Sequence, residues 1–100
     1  MDNKGLDLLE IRDQIDGIDK EIVELFEKRM QLSADVAEYK ISNNKAVLDP
    51  QREKEKLNTL EHYASNSFNR VGVYELFRQM MAMSRKLQYR ILAENGKAEK

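Results

Sequence analysis

The sequence predicts an all-α protein with three helices per chain, one long, one short and one of medium length. Of its 100 residues, 35% are charged and 41% are hydrophobic, whereas Gly occurs four times and Pro once. Few helix breakers, together with apolar residues at intervals of three and four, favour long amphipathic helices over strands. We predict one domain over residues 1–100, with a helical core at 6–93 and a frayed tail at 94–100.

The first predicted helix runs from Leu6 to Ile41. Its apolar seam consists of Ile11, Ile15, Ile18, Ile22, Leu25, Arg29, Leu32, Val36 and Tyr39. At 1.5 Å per residue this helix would be roughly 54 Å long, which exceeds the width of a compact domain of this size. Because such a helix needs cover from beyond its own chain, we expect a homodimer in which two long helices lie along each other.

Two cations interrupt the apolar side of this helix. Arg29 replaces an apolar residue of the seam, and Lys40 follows Val36 by one turn and projects in nearly the same direction. A buried charge is costly unless it is paired. The first helix must therefore either pack onto acidic residues or bind an anionic ligand.

Asp49-Pro50 predicts the start of a second helix. The Asp side chain accepts hydrogen bonds from free backbone N–H groups, and Pro is well suited to the first helical position. We predict that this helix ends at about Ala64. Its packing side is thin and is formed by Glu53, Leu57, Leu60 and Ala64.

A polar stretch at 65–69 predicts a loop, and a third helix is predicted over Val73–Ala93 with Asn95-Gly96 as its stop signal. Polar residues break its seam at Ser84, and Gln88 follows one turn later on the same side. The seam consists of Val73, Phe77, Met80, Ser84, Leu87 and Ile91.

Composition excludes several classes of function. Seventeen basic and eighteen acidic residues give a net charge of -1. A chain this balanced lacks the strong positive charge that is typical of nucleic-acid-binding proteins. The chain has no Cys, and hence no disulfide, thiolate nucleophile or cysteine metal site. No secretory signal or run of about 18 apolar residues is present. We expect a cytoplasmic protein with no metal and with neither nucleic acid nor membrane as a partner.

Polar residues at inward or stripe-edge positions form a candidate binding set: Arg12, Arg29, Lys40, Arg52, Glu53, Ser84 and Gln88. The set suits a small ligand with more than one carboxylate, because Arg binds carboxylate bidentately and Lys supplies a compact charge. It does not suit acid–base or nucleophilic catalysis, since His62 is the sole His and no Ser has a base at plausible spacing. Taken singly, a helical Arg or Lys more often extends into solvent, Ser84 more often packs, and Asp49 is first a helix cap.

Distance separates two members of this set. Arg12 and Arg29 are 17 residues apart, which is roughly 25 Å along a straight helix. The two arginines of one chain therefore cannot both contact the same small molecule. If both serve one site, Arg12 must come from a second subunit, as an antiparallel pair of long helices would provide.

In order and spacing these residues resemble the all-helical, type II chorismate mutases of the AroQ class, from Leu8 to about Leu92. The first stretch holds Ile11-Arg12, Ile18-Asp19 and Arg29. The second holds Lys40, Asp49 and Arg52-Glu53. The third holds Glu75-Leu76-Phe77, Ser84 and Gln88. The resemblance implies three helices per chain interlocked into a homodimeric bundle with two shared active sites.

The resemblance also implies roles for individual residues. Arg29 and the partner chain's Arg12 would bind the two carboxylates of chorismate. Lys40 and Gln88 would hydrogen-bond the ether oxygen of the bond that breaks, and Glu53 would hold the ring hydroxyl. Supporting contacts would come from the backbone near Asp49, from Arg52, from Ser84 and from the apolar wall of Val36 and Met81.

The implied reaction is the rearrangement of chorismate to prephenate in phenylalanine and tyrosine biosynthesis, the aromatic branch of the shikimate pathway. It is unimolecular and requires no cofactor, covalent intermediate or proton shuttle, so a cationic pocket would suffice. An isochorismate-pyruvate lyase of the same fold is the nearest alternative, disfavoured because Asp49 and Glu53 are both present. A non-catalytic helical dimerisation or regulatory module is the second alternative.

Overall fold

A computed structural model describes residues 5–98, with side chains through residue 95. Three α-helices make up the structure: α1 (Leu8–Ser42), α2 (Pro50–Glu61) and α3 (Ser67–Ala98). The predicted all-α class and the number of helices are therefore confirmed for this part of the chain. The predicted medium length of the third helix is wrong, because α3 has 32 residues against 35 in α1.

Helix α1 begins and ends with local capping. The Asp7 carboxylate accepts a hydrogen bond from the Leu9 N–H at 3.0 Å. At the other end Asn44 adopts a left-handed conformation with φ 53°. The Lys45 N–H donates to the Lys40 carbonyl at 2.8 Å, and the Asn44 N–H donates to the Ile41 carbonyl at 3.3 Å. This pattern of hydrogen bonds is a Schellman motif, which explains why the helix stops in the predicted polar stretch.

Helix α2 starts where the sequence predicts and ends earlier. Asp49 caps it, since its Oδ1 accepts from the Arg52 N–H at 3.2 Å, and Pro50 occupies its first turn. The predicted end at Ala64 is wrong. The N–H groups of Tyr63 and Ala64 donate three residues back, to Leu60 and Glu61, so the chain tightens into turns after Glu61.

Helix α3 is longer than predicted at both ends. It begins at Ser67, six residues before the predicted start, because the Asn66 side chain accepts from the Asn69 N–H at 2.7 Å and caps the helix there. It also continues through Asn95-Gly96 to Ala98. The predicted loop at 65–69 and the predicted stop are therefore wrong in part, while the last two residues of the predicted frayed tail lie outside the described residues.

The chain divides into two compact units, residues 1–31 and residues 32–100. The described part of the first unit holds the N-terminal portion of α1. Its apolar seam faces solvent in this chain, since Ile15, Ile18, Ile22 and Leu25 are between 49% and 64% exposed.

In the second unit, α2 packs against α3. In the predicted seam of α3, Ser84 is buried and the other residues are half-buried, and the thin stripe of α2 is half-buried as well. Within residues 5–98, none of the three helices has a stretch both long and apolar enough to cross a bilayer.

Candidate active site

The core of the second unit is unusually polar. Six of the described residues are buried. Three are apolar, namely Ala37, Val47 and Met81, and three are polar, namely Ser33, Ser84 and Gln88. Burial of polar groups is unfavourable unless each group finds a partner in the protein or a ligand. The position of these groups therefore marks a candidate site, and Ser84 and Gln88 were both predicted from the seam of α3.

Ser33 joins α1 to α3. Its hydroxyl donates to the Ser84 Oγ at 3.0 Å, and both residues are buried. Ser33 was not among the predicted residues, because it lies beside the apolar seam that runs through Leu32 and Val36. A neighbouring stripe of Ser33, Ala37 and Lys40 has the same helical spacing and was the available signal.

We expect Ser33→Ala to lower the free energy of unfolding by about 1 kcal/mol, because it removes the donor of a buried hydrogen bond. Urea unfolding at a fixed protein concentration would measure the change. Ser42→Ala, at the exposed end of α1, is the matched control and should change stability by less than about 0.5 kcal/mol. Equal stability of the two variants would contradict a structural role for the Ser33 hydroxyl.

Gln88 carries the clearest mark of a binding group. The residue is 8% exposed, and its Oε1 is buried with no hydrogen-bond partner among residues 5–95. An amide offers two donor hydrogens and an acceptor oxygen, and an orphaned buried oxygen is costly. Gln88 is therefore a candidate binding residue.

Lys40 is held by the loop that follows α1. Its Nζ donates to the Val47 carbonyl at 2.7 Å, and Val47 itself is buried. A lysine ammonium has three donors, so this contact holds the charge in position and uses one of them. The contact also ties the loop that leads to Asp49 against α1.

Glu53 forms an ion pair with Arg85 that connects α2 to α3. Both side chains are half-buried. Arg85 was not predicted, because it lies beside the seam of α3, next to Ser84, and was indistinguishable in sequence from a solvated surface cation. The pair lies at an open groove of about 590 Å³ whose apolar lining includes Leu48, Pro50, Leu57 and Tyr74.

The remaining predicted residues of the second unit fall in different environments. Met81 is buried on the same face of α3 as Ser84 and Gln88. Asp49 is exposed and serves as the cap of α2, and the Arg52 side chain is exposed. Val36 is 42% exposed in this chain. In the described residues, no group of three or more His, Cys, Asp or Glu side chains could hold a metal ion.

The first unit contains the other two predicted residues, Arg12 and Arg29, on one continuous helix. Arg29 is half-buried, and this burial lowers its pKa below the ordinary value for arginine. Arg12 is exposed. A helix rises 1.5 Å per residue, so the two positions are roughly 25 Å apart along α1, beyond the reach of one small ligand.

Residues 11–89 match the type II chorismate mutase family. The chain belongs to that family. The matched range contains every predicted site residue of this chorismate mutase domain, from Arg12 to Gln88.

Two curated relatives are bifunctional chorismate mutase/prephenate dehydratases. The protein from Buchnera aphidicola subsp. Schizaphis graminum is 38% identical over 87 residues, which cover 86% of this chain and 23% of the relative. The protein from Buchnera aphidicola subsp. Acyrthosiphon pisum is 37% identical over 87 residues, covering 85% of this chain and 22% of the relative. The chorismate mutase domain thus spans about a quarter of the length of the curated relatives it matches.

Proposed function

We propose that this chain catalyses the rearrangement of chorismate to prephenate in phenylalanine and tyrosine biosynthesis. The observation that carries the proposal is the match of residues 11–89 to the type II chorismate mutase family, a range that contains the buried polar residues Ser84 and Gln88. Both curated relatives have chorismate mutase in their names, which supports the same activity here.

The reaction breaks an ether bond and forms a carbon–carbon bond within one molecule. No nucleophile or proton donor is needed. The protein must hold a flexible dianion in a compact conformation and stabilise the negative charge that grows on the ether oxygen. A site built from cations and neutral hydrogen-bonding groups fits both tasks.

Lys40 and Gln88 are assigned to the ether oxygen. The Val47 carbonyl holds the Lys40 ammonium and leaves it two donors, and burial excludes water from the Gln88 amide. Donors fixed in a poorly solvated site stabilise developing charge more strongly than mobile donors in water, because no reorganisation is needed during the reaction.

Arg29 and the partner subunit's Arg12 are assigned to the two carboxylates. The separation of these residues along α1 requires two chains for one site. Homodimerisation is supported by the exposed apolar residues of α1, a face that a second copy of the same helix would cover. Two-fold symmetry would then give two equivalent sites.

The other walls of the site are assigned to α2 and α3. Glu53 accepts the hydrogen bond of the ring hydroxyl, close to the backbone at Asp49, and Ser84 contacts a carboxylate. Arg52 supports the site electrostatically, while Val36 and Met81 provide apolar contacts. No cofactor takes part, and we place the enzyme in the cytoplasm.

The direct test is to incubate the purified chain separately with chorismate and isochorismate. We expect prephenate from chorismate at a rate far above any pyruvate from isochorismate. Faster pyruvate release would identify the lyase of the same fold instead. A folded dimer with no turnover of either compound would favour a non-catalytic module.

A further inference from the structure

The ion pair of Glu53 and Arg85 is the feature of this chain that the proposed roles leave unexplained. We propose that Arg85 is a positioning residue: it neutralises and orients Glu53, so that this carboxylate receives the substrate hydroxyl without repelling the dianion. The inference rests on the proposed function, because it concerns the same site and the same ligand.

The two carboxylate oxygens of Glu53 have different contacts. Nη1 of Arg85 donates to Oε1 of Glu53, a charge-assisted contact of the stronger kind. Within the described residues, the hydrogen bonds and ion pairs of the Glu53 side chain involve Oε1 alone. Arg85 therefore holds the carboxylate by one oxygen and leaves Oε2 to accept a hydrogen bond from a ligand.

Charge explains why this carboxylate needs a partner. A substrate with two carboxylates is repelled by any further negative charge in its pocket. The charge of Asp49 is offset by the N-terminus of α2, which it caps. Glu53 lies one turn further along α2, and its ion-pairing cation is Arg85.

Helix α3 supplies this cation without disturbing the buried face. Ser84 and Gln88 are buried, whereas Arg85 lies directly after Ser84 and extends toward α2. Both members of the pair are only partly exposed, at 30% and 26%, so solvent screens their interaction less than that of a surface pair.

The test compares the wild type, Arg85→Gln, Glu53→Gln and the double variant with chorismate as substrate. Because the dianion has the same charge before and during the rearrangement, Arg85→Gln should raise KM about tenfold or more and change kcat less than about threefold. In the Glu53→Gln background, where no negative charge needs compensation, Arg85→Gln should change KM less than about twofold. Arg85→Lys should keep most of the wild-type affinity, because it keeps the charge.

Arg90→Gln is the matched control. Arg90 also lies on α3 and pairs with a glutamate, Glu94, at 3.1 Å, but both side chains are well exposed. This variant should leave KM and kcat unchanged. The inference would be overturned if Arg85→Gln changed KM equally in both backgrounds, or no more than Arg90→Gln does. In either case, normal turnover of chorismate by the wild type would still support the proposed function.

The two proposals fail in distinguishable ways. If the wild type does not turn chorismate over, the proposed function fails, and the same four proteins are compared by the calorimetric Kd for chorismate. A loss of affinity in Arg85→Gln that disappears in the Glu53→Gln background would still support the role of Arg85. Absence of chorismate binding by the wild type would overturn both proposals.

Discussion

Mixing two inactive variants, Arg12→Ala and Arg29→Ala, is expected to restore activity. Each variant alone should lose about 100-fold to 1,000-fold in kcat/KM, because each removes a cation from a carboxylate of the substrate. A dimer with one chain of each kind has one site with both arginines and one site with neither. Random exchange of chains makes about half of the dimers mixed, so about a quarter of the wild-type activity should return.

The control mixes Arg29→Ala with Lys40→Met chains. Arg29 and Lys40 lie on the same helix, and we assign them to the same site, so every site in the mixed dimers would lack one of the two. This mixture should remain inactive. Chain exchange would be verified with a mass label on one variant. Equal recovery in both mixtures, or none in either after verified exchange, would contradict a site shared between subunits.

Replacement of Gln88 by Glu is expected to make activity depend strongly on pH. The wild type should keep nearly constant kcat from about pH 6 to 9, because an amide donates a hydrogen bond without being protonated. An introduced carboxyl donates only while it is protonated. Burial at this position would raise its pKa above the ordinary value of about 4.3, because desolvation disfavours the charged form.

The variant should therefore be most active at acidic pH and lose about tenfold per pH unit once its carboxyl ionises. At pH 8 we expect a loss of about 100-fold or more relative to the wild type. Gln79→Glu, on the exposed side of α3, makes the same chemical change away from the site and should leave the pH profile flat. The profile is measured with saturating chorismate, and circular dichroism checks the fold at each pH. A flat pH profile for the Gln88→Glu variant would contradict the assignment of Gln88 as a hydrogen-bond donor to the ether oxygen.

Local signals predicted the helix starts and stops with uneven success. The helix start predicted from Asp49-Pro50 is correct, because the cap and the proline act within one turn of the chain and do not depend on the rest of the fold. The start of α3 was misplaced because Asn66 lies in a polar stretch that also resembles a loop. Asn95-Gly96 failed as a stop signal because Gly terminates a helix only where the chain turns left-handed, and here it continues as helix.

Of the candidate site, the sequence revealed the residues that break an apolar period. Ser84 lies in the seam of α3 and Gln88 follows it by one turn on the same side, and both are buried, while Lys40 lies on α1 and is half-buried. Ser33 and Arg85 were not predicted, because their partners, Ser84 and Glu53, are 51 and 32 residues away in the chain. Such contacts depend on how the helices pack, which no local pattern encodes.

The sequence by itself thus determined the helical class, the seam of α3 and the residues that resemble the chorismate mutase family. The helical class and the seam follow from periodicity and capping, which act over a few residues, whereas the resemblance rests on the identity and order of particular residues. Only the tertiary structure decided which polar groups are buried, that the Gln88 oxygen is left without a partner among the described residues, and that Glu53 is paired with Arg85. Burial and ion pairing depend on groups brought together from distant parts of the chain, so they arise only when the helices pack.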